Sequence, residues 1–124
     1  MTGISKVTIL KLLEDNNIAR KEVNMIGFGL NGLAFDRATI LAQAPSASGV
    51  YAIYNAGQFI YVGEGDIQTR LMAHLNGDNA CITNKRPIAF QFELMSANQR
   101  VARQDDLIAE LGTLAPVGCN QRFG

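Results

Sequence analysis

Two tyrosines and the glycines beside them are the residues of this chain best suited to form a site. Residues 49–63 have the sequence GVYAIYNAGQFIYVG, in which two runs of apolar, β-branched and aromatic residues flank a short polar loop. This pattern predicts a β-hairpin. Successive strand side chains point to opposite faces, so pairing across the loop places Tyr51 and Tyr61 side by side near the open end of the hairpin. Because glycine has no side chain, Gly49 and Gly63 would let a ligand approach the backbone beside two phenols.

A helix predicted directly after this hairpin carries a second set of polar residues. Asp66 is suited to cap its start and Gly77 to end it. Asp66, Arg70 and His74 recur at every fourth position and therefore share one helix face, away from the apolar line of the helix. Alone, such a face would be interpreted as a solvated salt-bridge surface. Its position immediately after the two tyrosines favours a site.

The order of these residues resembles the GIY-YIG nuclease superfamily. The GVY and YVG motifs are followed, as in that family, by Arg70, His74, the pair Leu107-Ile108 and Asn120. One Gly-aliphatic-Tyr motif would be weak evidence, whereas the ordered set is far more specific. The resemblance implies an α+β domain with a small three-stranded antiparallel sheet flanked by helices.

The rest of the chain supplies elements that would complete this domain. The patterns predict an amphipathic helix over residues 4–16, a short strand near 23–26, a helix over 36–43, a linker at 44–48, a strand over 88–95 and a helix over 97–112. The resemblance covers residues 46–124. We expect residues 1–45 to form an N-terminal helical extension docked on this domain, because some forty-five residues are marginal as an independent core.

The resemblance assigns each site residue a role in phosphodiester hydrolysis. In the family the first tyrosine, here Tyr51, lies near the attacking water as general base or as its positioner, with Tyr61 beside it. Arg70 would bind the scissile phosphate through its planar, permanently charged donor fork. His74 would hydrogen-bond a tyrosine or a phosphate, and Asn120 would support the site. The implied activity is a DNA endonuclease that depends on Mg²⁺ or Mn²⁺.

The position of the metal ligand departs from the family pattern. The family's metal-binding glutamate corresponds to Gln104, three residues before Leu107. Hard divalent cations prefer carboxylates to a neutral amide oxygen, so we expect weak metal binding and impaired cleavage. Gln104 is explained by an engineered Glu-to-Gln change, by a natural inactive nucleic-acid-binding module, or by another carboxylate that takes over. The candidates for that carboxylate are Asp105, Asp106 and Glu93.

The charge balance places a further condition on a nucleic-acid partner. The chain has 11 basic and 11 acidic residues, so any phosphate-binding surface must be local. The candidate DNA-binding residues are Lys85, Arg86, Arg103 and Arg122. No apolar run approaches the ~20 residues of a membrane span, and no signal peptide is evident. We therefore expect a soluble, cytoplasmic protein without membrane contacts.

Two cysteines are too few for a disulfide scaffold. Cys81 and Cys119 are therefore expected to be buried or free thiols in a reducing compartment. A zinc site formed with His74 and Asp78 is the alternative, but this spacing fits no common zinc pattern.

Overall fold

The computed structural model describes residues 32–122. The elements of this part of the chain are β1 (Leu33–Ala34), α1 (Arg37–Gln43), β2 (Ser48–Tyr54), β3 (Phe59–Asp66), α2 (Ile67–Leu75), α3 (Ala80–Asn84), β4 (Ala89–Leu94) and α4 (Ala97–Leu111). The helix predicted over residues 4–16 and the strand predicted near 23–26 lie outside the described residues. Within residues 32–122, none of the helices is long and apolar enough to cross a membrane.

The strands form one antiparallel sheet in the order β1-β4-β2-β3. The predicted hairpin is β2 and β3, in which Tyr51 pairs with Gly63 and Ile53 with Tyr61. Since paired residues share a face, both tyrosines project from the same side of the sheet. The α+β class is confirmed.

The predicted count of three strands is wrong, because β1 adds a fourth strand at the free edge of β4. Leu33 pairs with Phe90 and Ala34 with Ala89. A strand of two residues is too short to produce an alternating pattern, and its pairing depends on a partner more than fifty positions away in the sequence.

Helix α1 confirms the helix predicted over residues 36–43. The carboxylate of Asp36 accepts a hydrogen bond of 2.8 Å from the backbone N–H of Thr39 and so caps the first turn. Ile40 of this helix is fully buried in one cluster with Leu71 and Phe90. This part of the predicted extension therefore packs into the same core as the sheet.

Helix α4 packs on β2 and β3 from the other side of the sheet. Glu64 and Glu93 both pair with Val50 and therefore lie on the face opposite to Tyr51. Each forms an ion pair with an arginine of α4. Nε of Arg100 lies 2.7 Å from Oε1 of Glu64, and Nε of Arg103 lies 2.8 Å from Oε1 of Glu93. The tyrosines face α2, whereas α4 covers the reverse side.

A disulfide joins Cys81 and Cys119, with 5.8 Å between their Cα atoms. The expectation of free or buried thiols is wrong. The cysteines therefore no longer support a reducing compartment. Disulfide sulfurs also cannot serve as thiolate ligands of zinc. The two residues are 38 positions apart, so no local pattern could reveal that they meet.

Candidate active site

Tyr51 lies on the central strand β2 and is fully buried. Its hydroxyl sits directly over Gly63 on the neighbouring strand, where a Cβ atom would overlap the phenol oxygen and ring. Only glycine at position 63 leaves room for this ring. The phenol oxygen is 2.7 Å from Nε2 of His74.

His74 connects Tyr51 to a carboxylate. The ring is buried on α2, and its Nδ1 lies 2.8 Å from Oδ1 of Asp78. Burial lowers the pKa of His74 below its ordinary value, while the hydrogen bond and negative charge of Asp78 oppose that shift. Burial also raises the pKa of Tyr51 well above its ordinary value. The three side chains thus form one hydrogen-bonded chain from the buried phenol of Tyr51 to the exposed carboxylate of Asp78.

Tyr61 is the second phenol of the cluster and is only partly buried. Its ring centroid is 6.4 Å from that of Tyr51 and 5.1 Å from that of His74, which it meets edge-on. Burial raises the pKa of Tyr61, and the positive charge of Arg70 partly opposes the rise. The hairpin and the helix face predicted from the sequence are therefore brought together.

Arg70 lies on α2, one turn before His74, and is half-buried. Its side chain packs over Gly65, where a Cβ atom would be 3.3 Å from Cγ of the arginine. Gly65 also has a positive φ of 133°, so a side chain there would be strained as well as crowded. Burial raises the pKa of both tyrosines and the positive charge of Arg70 partly opposes the rise, so a permanent cation lies near the two phenols.

A cleft of about 320 Å³ opens beside this cluster. It is lined by Tyr61, Asn79, Gln104, Cys119, Asn120, Gln121 and Arg122. Tyr61 belongs to both the cluster and the cleft, whereas Tyr51 lies behind it with 0% of its surface exposed. Tyr61 is thus the phenol that a bound molecule would meet first. The role near the attacking water that the resemblance implies for Tyr51 stays a prediction, and in this structure the side chain of Tyr51 is fully buried.

Asn120 supports the site by holding the free edge of β3. Its side-chain oxygen accepts hydrogen bonds from the backbone N–H of Val62 at 2.9 Å and from the hydroxyl of Thr113 at 2.7 Å. Its amide nitrogen donates to the backbone oxygen of Val62 at 2.8 Å. The side chain is buried and occupied by these partners, so it fixes the strand that carries Tyr61.

The residues of the cleft do not fit a hard divalent cation. Gln104 lines the cleft, and none of the described residues that line it has a carboxylate. Within residues 32–122 no group of three or more His, Cys, Asp or Glu side chains is arranged to hold a metal. Glu93 is engaged by two hydrogen bonds of 2.8 Å from Arg103, and neither Asp105 nor Asp106 lines the cleft. None of these three carboxylates is among the described residues that line the cleft.

The predicted DNA-binding residues fall into separate places. Arg122 lines the cleft. Arg103 is paired with Glu93 on the reverse side of the sheet. Lys85 and Arg86 lie beside the hairpin loop, where the side chain of Asn55 donates to the backbone oxygen of Lys85 at 2.9 Å. Of the four, Arg122 alone is among the residues that line the cleft.

Solved structures share the fold of the described part of this chain. The chain resembles the GIY-YIG N-terminal endonuclease domain of UvrC from Thermotoga maritima bound to its catalytic divalent cation magnesium, at 21% identity, with a TM-score of 0.52 over 62% of this chain and 94% of that one. An asparagine-to-alanine mutant and a tyrosine-to-phenylalanine mutant of that domain match equally well, at 21% and 20% identity with TM-scores of 0.52 and 0.51. They too cover 62% of this chain, and 93% and 94% of their own.

The described part of the chain has the GIY-YIG fold. The agreement is one of fold, since identity is about one residue in five. No protein-family model and no curated protein matches the sequence. Within this GIY-YIG fold the two motif tyrosines lie on the hairpin, Arg70 and His74 on the helix that follows it, and Gln104 on α4.

Proposed function

We propose that this chain is a GIY-YIG endonuclease that acts on DNA and whose cleavage step is impaired by Gln104. The observation that carries the proposal is the cluster of Tyr61, Tyr51, His74 and Arg70, of which Tyr61 lines a cleft that Gln104 also lines. The same fold in the UvrC domain binds a catalytic divalent cation.

Arg70 supplies the positive charge for the scissile phosphate. A guanidinium is charged at all physiological pH values and offers a planar donor fork that suits phosphate oxygens. Its proximity to both phenols would bring the phosphate to the tyrosines. Arg122 would add charge on the lining of the cleft, which suits a chain of balanced overall charge.

Tyr61 orients the attacking water from the wall of the cleft. Because burial raises its pKa, the phenol keeps its proton at neutral pH and can both donate and accept a hydrogen bond. A protonated phenol positions water well but removes its proton poorly. In this form of the site the tyrosine is therefore a positioning group.

A second function is favoured by the same cleft. With an amide at position 104 and no carboxylate among residues 32–122 of the lining, the chain would hold nucleic acid without cutting it. In the endonuclease proper, Mg²⁺ or Mn²⁺ would require a carboxylate at position 104. The two proposals agree on binding and differ on cleavage.

Binding is tested by an Arg70→Ala variant in a fluorescence anisotropy titration at fixed salt, with single-stranded, duplex and branched DNA. We expect the affinity for the preferred DNA to fall by about 1.5–3 kcal/mol, because a charge-assisted phosphate contact is lost. Arg37→Ala is the matched control, since Arg37 is exposed on α1 and its substitution removes the same charge. Equal affinity of the Arg70→Ala variant and the unsubstituted protein would refute a phosphate site at Arg70.

A further inference from the structure

We infer that Asp78 is a positioning residue of the candidate active site. It accepts a hydrogen bond from Nδ1–H of His74 and so holds the ring in the tautomer whose Nε2 accepts a hydrogen bond from the hydroxyl of Tyr51. The direction of these bonds follows from this chain's geometry; its consequence for catalysis rests on the proposed nuclease function.

The chain turns back at the end of α2 and thereby brings Asp78 to the ring. Gly77 has a positive φ of 91°, its N–H donates to the backbone oxygen of His74 at 3.1 Å, and the N–H of Asp78 donates to that of Ala73 at 3.1 Å. This pair of bonds is a Schellman motif, which glycine at this position favours. It places the carboxylate four residues after His74, level with Nδ1.

The chemistry of the three groups then determines where each proton lies. A carboxylate can only accept, so Nδ1 of His74 must carry hydrogen at 2.8 Å from Asp78. A neutral imidazole has one N–H, which leaves Nε2 as an acceptor for the Tyr51 hydroxyl at 2.7 Å. Burial lowers the pKa of His74 and so favours this neutral ring.

The other groups around the imidazole do not compete with Asp78 for this role. Tyr61 from β3 meets the ring edge-on. Arg70, on the same helix, is a cation and lowers the pKa of His74.

This arrangement determines what Tyr51 offers to the rest of the site. With its hydrogen directed at His74, the phenol oxygen keeps its lone pairs for the nearby guanidinium of Arg70. Asp78 thereby acts on Arg70, the residue proposed to bind phosphate, through the side chains of His74 and Tyr51. In the opposite tautomer, Nε2–H would donate to Tyr51, and the phenol hydrogen would be turned towards Arg70, where two donors would oppose each other.

The test uses ¹⁵N NMR of the imidazole in the full chain, which is unambiguous because the sequence has one histidine. The ¹⁵N shifts of the two ring nitrogens and their couplings to the ring protons distinguish the tautomers. We expect Nδ1 protonated and Nε2 unprotonated near neutral pH. A protonated Nε2 in the unsubstituted protein would overturn the inference without recourse to any variant.

An Asp78→Asn variant tests whether the carboxylate is the cause. The amide can donate to Nδ1, so we expect the population to shift towards the Nε2–H tautomer. Glu110→Gln is the matched control, because it removes one negative charge from an exposed position on α4 and should leave the ring as it was. An unchanged tautomer in Asp78→Asn would overturn the role assigned to Asp78.

The catalytic consequence is measured in a Gln104→Glu background with Mg²⁺ or Mn²⁺. There, Asp78→Asn should slow single-turnover cleavage by about 10–100-fold while DNA affinity stays within about twofold. Equal rates would overturn the positioning role. Failure of every form to cleave, together with the expected tautomers, would refute the nuclease function and leave the proton assignment standing.

Discussion

The position of one side chain in this site depends on the size of its neighbour, as Gly63 and Tyr51 show. The Tyr51 hydroxyl occupies the space that a Cβ at position 63 would fill. Tyr51 is in turn hydrogen-bonded to His74 and fully buried, so moving its ring would disturb both the bond and the surrounding core. A close-packed interior accommodates an added methyl group poorly.

We predict that Gly63→Ala lowers the free energy of unfolding by about 1–3 kcal/mol, because the methyl group forces the Tyr51 ring off its position. Urea denaturation measures the change. Gly57→Ala is the matched control in the same hairpin, since a Cβ there would meet nothing closer than Asn55 Oδ1 at 3.7 Å. Equal stability of the two variants would contradict the packing described for Tyr51.

Residues that share a regular element could be predicted, and residues that meet through a turn could not. Alternation along strands put Tyr51 and Tyr61 on one face, and the helical repeat put Arg70 and His74 on another. Asp78 follows the end of α2, so its contact with His74 depends on the φ of Gly77. The depth of Tyr51 behind Tyr61 depends on packing that no single spacing encodes.

At the scale of elements, β3 is the edge strand that carries Tyr61, and the segment after α4 closes that edge. The N–H of Cys119 donates to the backbone oxygen of Ile60 at 2.8 Å, and Asn120 occupies both backbone groups of Val62. Unpaired edge groups would otherwise face solvent or another chain. The position of Tyr61 therefore depends on this closing segment.

Asn120→Ala is predicted to lower the free energy of unfolding by about 2–3 kcal/mol, because it leaves the buried backbone groups of Val62 without partners. Thermal or urea denaturation checks this. Gln121→Ala, at the exposed neighbouring position, should change stability by less than about 0.5 kcal/mol. If Asn120→Ala lowered the free energy of unfolding no more than Gln121→Ala does, the asparagine would not hold the strand.

The elements themselves were predictable where their patterns were long. The hairpin, the helix after it and α4 follow from alternation, caps and apolar periodicity. Strand β1 is different because two residues are too few to show an alternation of apolar and polar side chains. It forms by pairing with the edge of β4. The partnership of Asn120 with Thr113 was not foreseen, since the six residues between them follow no helical or strand repeat.

At the scale of the whole molecule, the disulfide links α3 to the segment that closes β3. Cys119 stands beside Asn120, and Cys81 lies on the helix after the Asp78 turn. The bond therefore ties together two regions that flank the cleft. Long-range pairing of this kind is set by the finished fold and not by local sequence.

Removing the disulfide should cost stability by an amount that rises with the logarithm of the length of the loop that it closes. For a sequence separation of 38, the loop-closure relation gives about 3–4 kcal/mol. We expect a reductant to lower the urea midpoint of the unsubstituted protein. With or without the reductant, a Cys81→Ser, Cys119→Ser double variant should have a urea midpoint below that of the unsubstituted, oxidised protein. Identical midpoints for all four samples would contradict the disulfide.

The central claim is that this fold holds a DNA-cleaving site that lacks its metal ligand at position 104. The most direct measurement is cleavage of labelled single-stranded and duplex DNA in Mg²⁺ or Mn²⁺ by the unsubstituted protein, Gln104→Glu, and Gln104→Glu combined with Arg70→Ala. Gln and Glu have nearly the same shape, and the change supplies the anionic oxygen that a hard cation requires. We predict metal-dependent cleavage by Gln104→Glu, with little from the other two proteins. An inert Gln104→Glu variant would contradict the nuclease function, and equal cleavage by the unsubstituted protein would contradict the assignment of position 104.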